Sequence, residues 1–224
     1  MSRPLDALSD LVFAAVIFDM DGTLIDSIPA MVRAWTRWAG EFGVTAEQLA
    51  GYHGVPVAGV VRAVVPAHRY DRAIARIVEL ELSDIEGLVV LPGAREALAD
   101  LADAPSAIAT SSTRQLAAAR LAAARLAPPT VLVTADDIAR GKPAPDPFLE
   151  AARRLGVDPG SCLVVEDAPQ GLVAARAAGC HTLGLTTTTQ AASMDADLVI
   201  PDLGSVTFVP SPDGIQVRRS GQAG

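Results

Sequence analysis

The chain has 224 residues, half of them apolar and a fifth charged, and carries a formal charge of −8. That length suits one large domain or a main domain with an insertion, and the composition supports a sizeable core. The acidic balance argues against nucleic acid and anionic membranes as partners, because both demand clustered Lys and Arg.

No apolar run reaches the 18 residues of a membrane span. Asp6 and Asp10 stand where a signal peptide would be basic and then apolar. Cys162 and Cys180 sit among apolar neighbours and read as small buried hydrophobes, so a cytoplasmic location is expected. His53, His68 and His181 lie far apart and show no zinc spacing.

Val12-Phe-Ala-Ala-Val-Ile-Phe18 reads as a buried strand, an apolar run bounded by polar residues. It ends where two acids appear, in Asp19-Met-Asp21-Gly-Thr-Leu-Ile25. In an open parallel sheet, ligands bind just past the carboxyl ends of strands. Two carboxylates crowded there repel each other unless a cation or a shared proton intervenes. Folding gains nothing from that crowding, so chemistry explains it better.

From Ser27 to about Leu88 the pattern is helical. Met31 to Phe42 carries Trp35, Trp38 and Phe42 at helical spacing, which reads as core packing. Thr45-Ala-Glu-Gln48 matches a capping box that starts another helix. Val55 to Val65 and Arg69 to Glu86 continue the pattern, with Pro66 as the break between them.

After Leu91-Pro-Gly93 short strands alternate with helices. Residues 93–103 read as a helix, Ser106 to Ala109 as a strand running into Thr110-Ser-Ser-Thr113, and Arg114 to Leu126 as a helix. Val131 to Val133 is a strand and Pro147 to Leu155 a helix. Cys162 to Val165 is a strand running into Glu166-Asp167, and a helix from about Pro169 ends at Gly179. Thr182 to Leu185 and Leu198 to Ile200 are the last sheet candidates, followed by a hairpin around Pro212-Asp-Gly214 and fraying from Gly221. Strands separated by helices imply a parallel sheet with helices on both faces, an α/β fold. The strand-free block before residue 90 then folds as an all-helical cap inserted over the sheet edge.

Three strands thus end in polar groups: Asp19 and Asp21, then Thr110, Ser111 and Ser112, then Glu166 and Asp167. Gly141-Lys-Pro-Ala-Pro-Asp-Pro147 adds one Lys in a proline-stiffened loop. Each has an ordinary reading. Asp21-Gly22 can be a turn, Thr110-Ser-Ser a helix cap, Glu166-Asp167 an acid pair at a helix N-terminus, and Lys142 a surface charge.

Together they supply complementary parts. Four carboxylates in one crevice call for a hard divalent cation, and Mg²⁺ fits because it takes oxygen ligands beside substrate phosphate. Hydroxyls and free backbone N–H groups at a strand-to-helix turn make an anion pocket. Lys142 suits a phosphate or the charge developing on a phosphoryl group. A carboxylate nucleophile beside a protonated carboxyl permits covalent phosphoryl transfer.

Competing motifs fail. A calcium loop from Asp19 would need Gly and Glu where Leu24 and Ala30 stand. Phosphate-loop and dinucleotide fingerprints and a hydrolase nucleophile elbow are all missing from the sequence.

On these residues the chain resembles the haloacid dehalogenase superfamily of phosphatases. Asp19-Met-Asp-Gly-Thr-Leu24 is similar to its nucleophile motif, Ala109-Thr-Ser-Ser112 to its hydroxyl motif, Gly141-Lys-Pro143 to its lysine motif and Val165-Glu-Asp167 to its second acid motif. The resemblance spans roughly residues 12–186 and implies a Rossmann-like core over 1–26 and 89–224, with a small helical cap over 27–88. It implies that Asp19 attacks phosphorus to form an aspartyl-phosphate, and that Asp21 protonates the leaving oxygen and then deprotonates the hydrolytic water. Thr110 and the Ser111 N–H would bind the phosphoryl group, Lys142 would hold Asp19 and phosphate, and Mg²⁺ would be bound by Asp19, the Asp21 carbonyl and Asp167, with Glu166 ligating directly or through water. The dehalogenase branch lacks the second acid of the first motif, so Asp21 favours phosphoryl chemistry.

Gly51-Tyr-His-Gly-Val-Pro56 and Leu91-Pro-Gly93 resemble the sugar-phosphate and polyol-phosphate phosphatases, of the 2-deoxyglucose-6-phosphatase and glycerol-3-phosphatase type. His53 and Arg62 are then candidate contacts to the leaving group, although His53 can equally cap or pack a helix turn. The expected partner is a small phosphate ester, while the oligomeric state is not readable. A β-phosphoglucomutase or a phosphoglycolate phosphatase of the same superfamily is the near alternative. A non-catalytic phospho-accepting domain is the distant one.

Overall fold

The computed structural model describes Leu8, residues 11–50, Val55 and residues 57–221. The chain opens with β1 (Ala15–Phe18) and β2 (Ile25–Asp26), then runs through helices α1 (Ile28–Phe42), α2 (Ala46–Leu49), α3 (Val57–Val64) and α4 (Tyr70–Ser83). It returns by β3 (Val89–Val90) and continues as α5 (Ala94–Asp100), β4 (Ser106–Ala109), α6 (Arg114–Ala123), β5 (Val131–Val133), α7 (Asp146–Leu155), β6 (Cys162–Glu166), α8 (Pro169–Ala177), β7 (His181–Leu185) and β8 (Leu198–Ile200). A hairpin of β9 (Val206–Ser211) and β10 (Gly214–Arg219) ends it. The predicted terminal fraying falls on residues 222–224, outside the described residues.

Six strands form one sheet in the order β5-β4-β1-β6-β7-β8, every pairing parallel. All residues of β1, β4 and β6 are buried, as expected of near-continuous apolar strands covered on both faces. Successive side chains alternate between faces. Val16 and Phe18 join the core under α5, α6 and the hairpin, while Ala15 and Ile17 join the core under α7 and α8. Phe18 meets Phe208 of the hairpin edge to face, at 5.7 Å between ring centroids.

The register decides where the site lies. Phe18 pairs with Ile108 on one side and Val165 on the other, so β1, β4 and β6 end at the same level. The residues just beyond, Asp19, Thr110 and Glu166, are therefore neighbours despite their distance in sequence.

The four helices between β2 and β3 bury a core of their own, built on Trp38, Phe42, Val61, Ile77 and Leu80. Trp38 is fully buried and its indole Nε1 donates to the Ala73 carbonyl at 2.8 Å. Trp35 is only partly buried against that core. Thr45 and Gln48 form the expected capping box, but the helix it starts is a single turn. The sequence pattern misses the two-residue ribbon in which Ile25 pairs with Val90 and Asp26 with Val89. Two residues are too few to show an alternation.

Candidate active site

Asp19, Asp21, Thr110, Ser111, Lys142, Glu166 and Asp167 all line one cavity of about 290 Å³ between the strand ends and the helical block. They arrive from four separate segments. Asp19 follows β1, and its N–H donates to the Val165 carbonyl at 2.9 Å, which ties it to the neighbouring strand. Thr110 follows β4, and its Oγ1 accepts the Ser112 N–H at 3.1 Å. Glu166 is the last residue of β6. Lys142 lies in the loop before α7 and crosses the floor of the cavity.

The Lys142 ammonium is the centre of charge. It donates to Asp19 Oδ1, to Glu166 Oε1 at 2.5 Å and to the Ala109 carbonyl at 3.1 Å. Burial alone would lower its pKa, but the Asp19 and Glu166 carboxylates hold it raised. Burial pushes the Asp19 carboxyl well above its usual range against the pull of Lys142, and Glu166 and Asp167 push the same way. Glu166 is raised by burial too, with Lys142 again opposing. Its Oε2 accepts the N–H groups of Asp167 and Ala168, both at 3.0 Å, so both its oxygens are engaged.

Oxygens of Asp19, Glu166 and Asp167 lie within 4.8 Å of one another. Three buried carboxylates gather beside one ammonium, and every donor is a hard oxygen. That donor set fits a divalent cation such as Mg²⁺. Asp167 is held by Thr23 Oγ1 at 2.9 Å and by Thr188 Oγ1.

Two glycines leave room for these acids. A Cβ on Gly22, at φ +94°, would come 2.3 Å from Asp167 Oδ2. A Cβ on Gly171 would come 1.8 Å from Glu166 Oε1. Here the Asp-Gly turn and the helical glycine are spacing devices for the site.

Asp21 does not join the carboxylate cluster, so the expected group of four is three plus one. Its Oδ1 accepts from Ser27 Oγ at 2.7 Å and its Oδ2 from Ser112 Oγ at 2.9 Å. Arg120 Nη1 stands 2.9 Å from Oδ1. The strand ends before Asp19, so the i, i+2 alternation no longer holds, and Asp21 faces Ser27, Ser112 and Arg120 while Asp19 faces Lys142.

Of the two expected leaving-group contacts, His53 lies outside the described residues. Arg62 is exposed on α3 and is not among the described residues that line the cavity; its backbone carbonyl accepts from the Tyr70 hydroxyl at 3.2 Å. Arg120 lines the cavity instead, and the sequence pattern passes it over together with Glu81; Ser112 is expected only as one of the strand-end hydroxyls and Ser27 only as the start of the helical block. The missed signal was a charge inside an apolar stripe. Arg120 shares a helix face with buried Leu116 and Ala117, and Glu81 shares one with Ile77. Trp35, expected in the core, also lines the cavity.

Residues 13–179 match the family described as haloacid dehalogenase-like hydrolases. Hexitol phosphatase A of Escherichia coli is 40% identical over 206 residues, covering 88% of this chain and 95% of that protein. Glycerol-1-phosphate phosphohydrolase 2 of Saccharomyces cerevisiae is 31% identical, covering 78% of this chain and 75% of that protein. Among solved structures, a hydrolase from Pseudomonas syringae superposes with a TM-score of 0.76 at 28% identity, covering 85% of this chain and 94% of that one.

Proposed function

Because the chain belongs to the haloacid dehalogenase-like hydrolases, we propose that it hydrolyses small sugar or polyol phosphate monoesters and that Asp19 is its nucleophile. One observation carries the reading: Asp19, Lys142, Glu166 and Asp167 converge from distant segments on one buried point beside a cavity. The names of the relatives, a hexitol phosphatase and a glycerol-1-phosphate phosphohydrolase, supply the substrate class.

Asp19 attacks phosphorus, the bond from phosphorus to the leaving oxygen breaks, and an aspartyl-phosphate forms. Asp21 gives its proton to the leaving oxygen. It then takes a proton from the water that attacks the aspartyl-phosphate, and inorganic phosphate leaves. Ser27, Ser112 and Arg120 fix where the Asp21 carboxyl stands throughout. Thr110 and the Ser111 N–H bind phosphoryl oxygens, and Lys142 neutralises charge on Asp19 and the phosphate together.

Asp19, Asp167 and the Asp21 carbonyl would hold Mg²⁺, with Glu166 at one remove because its oxygens already serve Lys142 and two N–H groups. When bound, the cation supplies charge neutralisation that lets an anionic nucleophile meet a phosphate dianion.

The chain divides on this reading into a catalytic core, residues 1–26 and 89–224, and a cap, residues 27–88. The cap closes over the leaving group and excludes water. Its hinges are the strands Ile25–Asp26 and Val89–Val90, where the chain leaves and rejoins the core.

The test is phosphate release from hexitol, sugar and glycerol phosphates with and without Mg²⁺. Mg²⁺-dependent release from at least one class is expected. Folded protein inert on all of them overturns the reading, and glucose 6-phosphate formed from β-glucose 1-phosphate faster than free phosphate replaces it with the mutase.

A further inference from the structure

The cavity wall above the strand ends is apolar for most of its extent, with Ile28, Met31, Trp35, Val60 and Val78 facing it from the helical block. One charged side chain interrupts that wall. Glu81 lines the cavity from α4 and is only 5% exposed. Its Oε1 stands 3.5 Å from Arg120 Nη2 of the core, while Arg120 Nη1 reaches Asp21. Its Oε2 is buried and has no hydrogen-bond partner among the described residues.

An orphaned carboxylate oxygen is costly. Leaving a buried acceptor unsatisfied forfeits about 1–3 kcal/mol, and more when the group is charged. Native structures keep such groups where something outside the chain completes them. Burial pushes the Glu81 carboxyl above its usual range, and Arg120 and the Trp35 indole oppose that shift. A phosphate dianion cannot be the missing partner, because a carboxylate repels it. A hydroxyl can, because it donates a hydrogen to the oxygen and leaves its carbon against the apolar wall.

We propose that Glu81, tethered to the core by Arg120, is the residue that reads hydroxyl groups on the leaving alcohol, its free Oε2 accepting a hydrogen from the substrate. This rests on the phosphatase reading above and sharpens it, since it selects polyhydroxylated alcohols over bare alkyl ones. Arg120 then acts as a positioning residue: one guanidinium spans Asp21 and Glu81, so the specificity group and the acid come into place together when the helical block docks. A site with a buried acceptor rejects the analogue that lacks the donor, because the acceptor stays unpaired.

The experiment compares sorbitol 6-phosphate with n-hexyl phosphate, equal in carbon count and differing in hydroxyls. In Glu81→Leu the ratio of their kcat/KM values is expected to fall about 10- to 100-fold from wild type, the value of one charge-assisted hydrogen bond, mainly through KM for sorbitol 6-phosphate. Glu81→Gln keeps the shape and loses the charge, so its ratio should fall at least about threefold; it decides the matter if the Leu variant does not fold. Equal losses on both substrates, or a Gln variant with the wild-type ratio, overturn the proposal and reduce Glu81 to a structural tether. Wild-type enzyme that hydrolyses neither ester overturns the phosphatase reading itself.

Discussion

The strand ends and the helical block face each other across one cavity and are built on different principles. At the strand ends, Asp19, Glu166 and Asp167 are placed by backbone register, and Lys142 pairs with the first two. The helical block offers a single charged lining residue among those described, Glu81, placed by the docking of one amphipathic helix pack on the core. Register is rigid because shifting a parallel strand breaks many hydrogen bonds at once. Helix docking is softer, since apolar faces tolerate repacking. On the proposed function, a chemistry that needs fixed atoms and a specificity that needs to vary are thereby held by different parts of the chain.

The sharpest contrast comes from removing Asp19, the proposed nucleophile. Asp19→Asn should lower kcat by at least about 10⁴-fold in a phosphate-release assay, and Asp21→Asn by about 10²- to 10⁴-fold. No substitution in the helical block should approach the first value. Asp19→Asn within tenfold of wild type would erase the distinction.

The charge centre is the next place to press. Lys142→Met strips the ammonium from two buried carboxylates and should destabilise the protein by about 3–5 kcal/mol in urea denaturation. Protein of unchanged stability would mean that the acids are neutral in the metal-free state, and that the strand ends are softer than their register implies.

In the helical block the expected effects are smaller. Trp38→Phe keeps most of the packing but removes the indole hydrogen bond to the Ala73 carbonyl, at a cost of about 0.5–1.5 kcal/mol. Thermal denaturation reads the loss, and kcat on a saturating substrate should change little beside it.

The weakest effect is a background one in the core. Burial raises the Cys162 thiol to about 11 and, with the neighbouring Cys162 and Asp158, Cys180 to about 12. Both exceed the unfolded value near 8.5. The folded chain therefore holds protons that the unfolded chain releases, so stability is fully present below pH 8.5 and declines as pH rises toward 11. The fall should be under about 1 kcal/mol per thiol at pH 9, readable as a lower urea midpoint that Cys→Ala variants abolish.

Much of the core was legible from residues alone. The strands Ser106–Ala109, Val131–Val133 and Leu198–Ile200 fall at their expected bounds, because short apolar runs between breakers have few other fates. Asp19, Thr110, Lys142, Glu166 and Asp167 were legible as a set, because each follows a strand end or sits in a stiffened loop. Arg62 was misplaced and Arg120 passed over, since polarity on a helix does not say which face another domain will cover.

Composition, period and motif order thus determined the α/β class, the inserted helices and the polar groups that gather at the strand ends, all of which depend on local backbone preference and strand polarity. Tertiary structure alone decided that Asp21 turns from its carboxylate neighbours toward Arg120, and that Glu81 ends buried with one oxygen free. Those facts follow from which surfaces meet in space, and burial is a property of the assembled chain that no single segment carries.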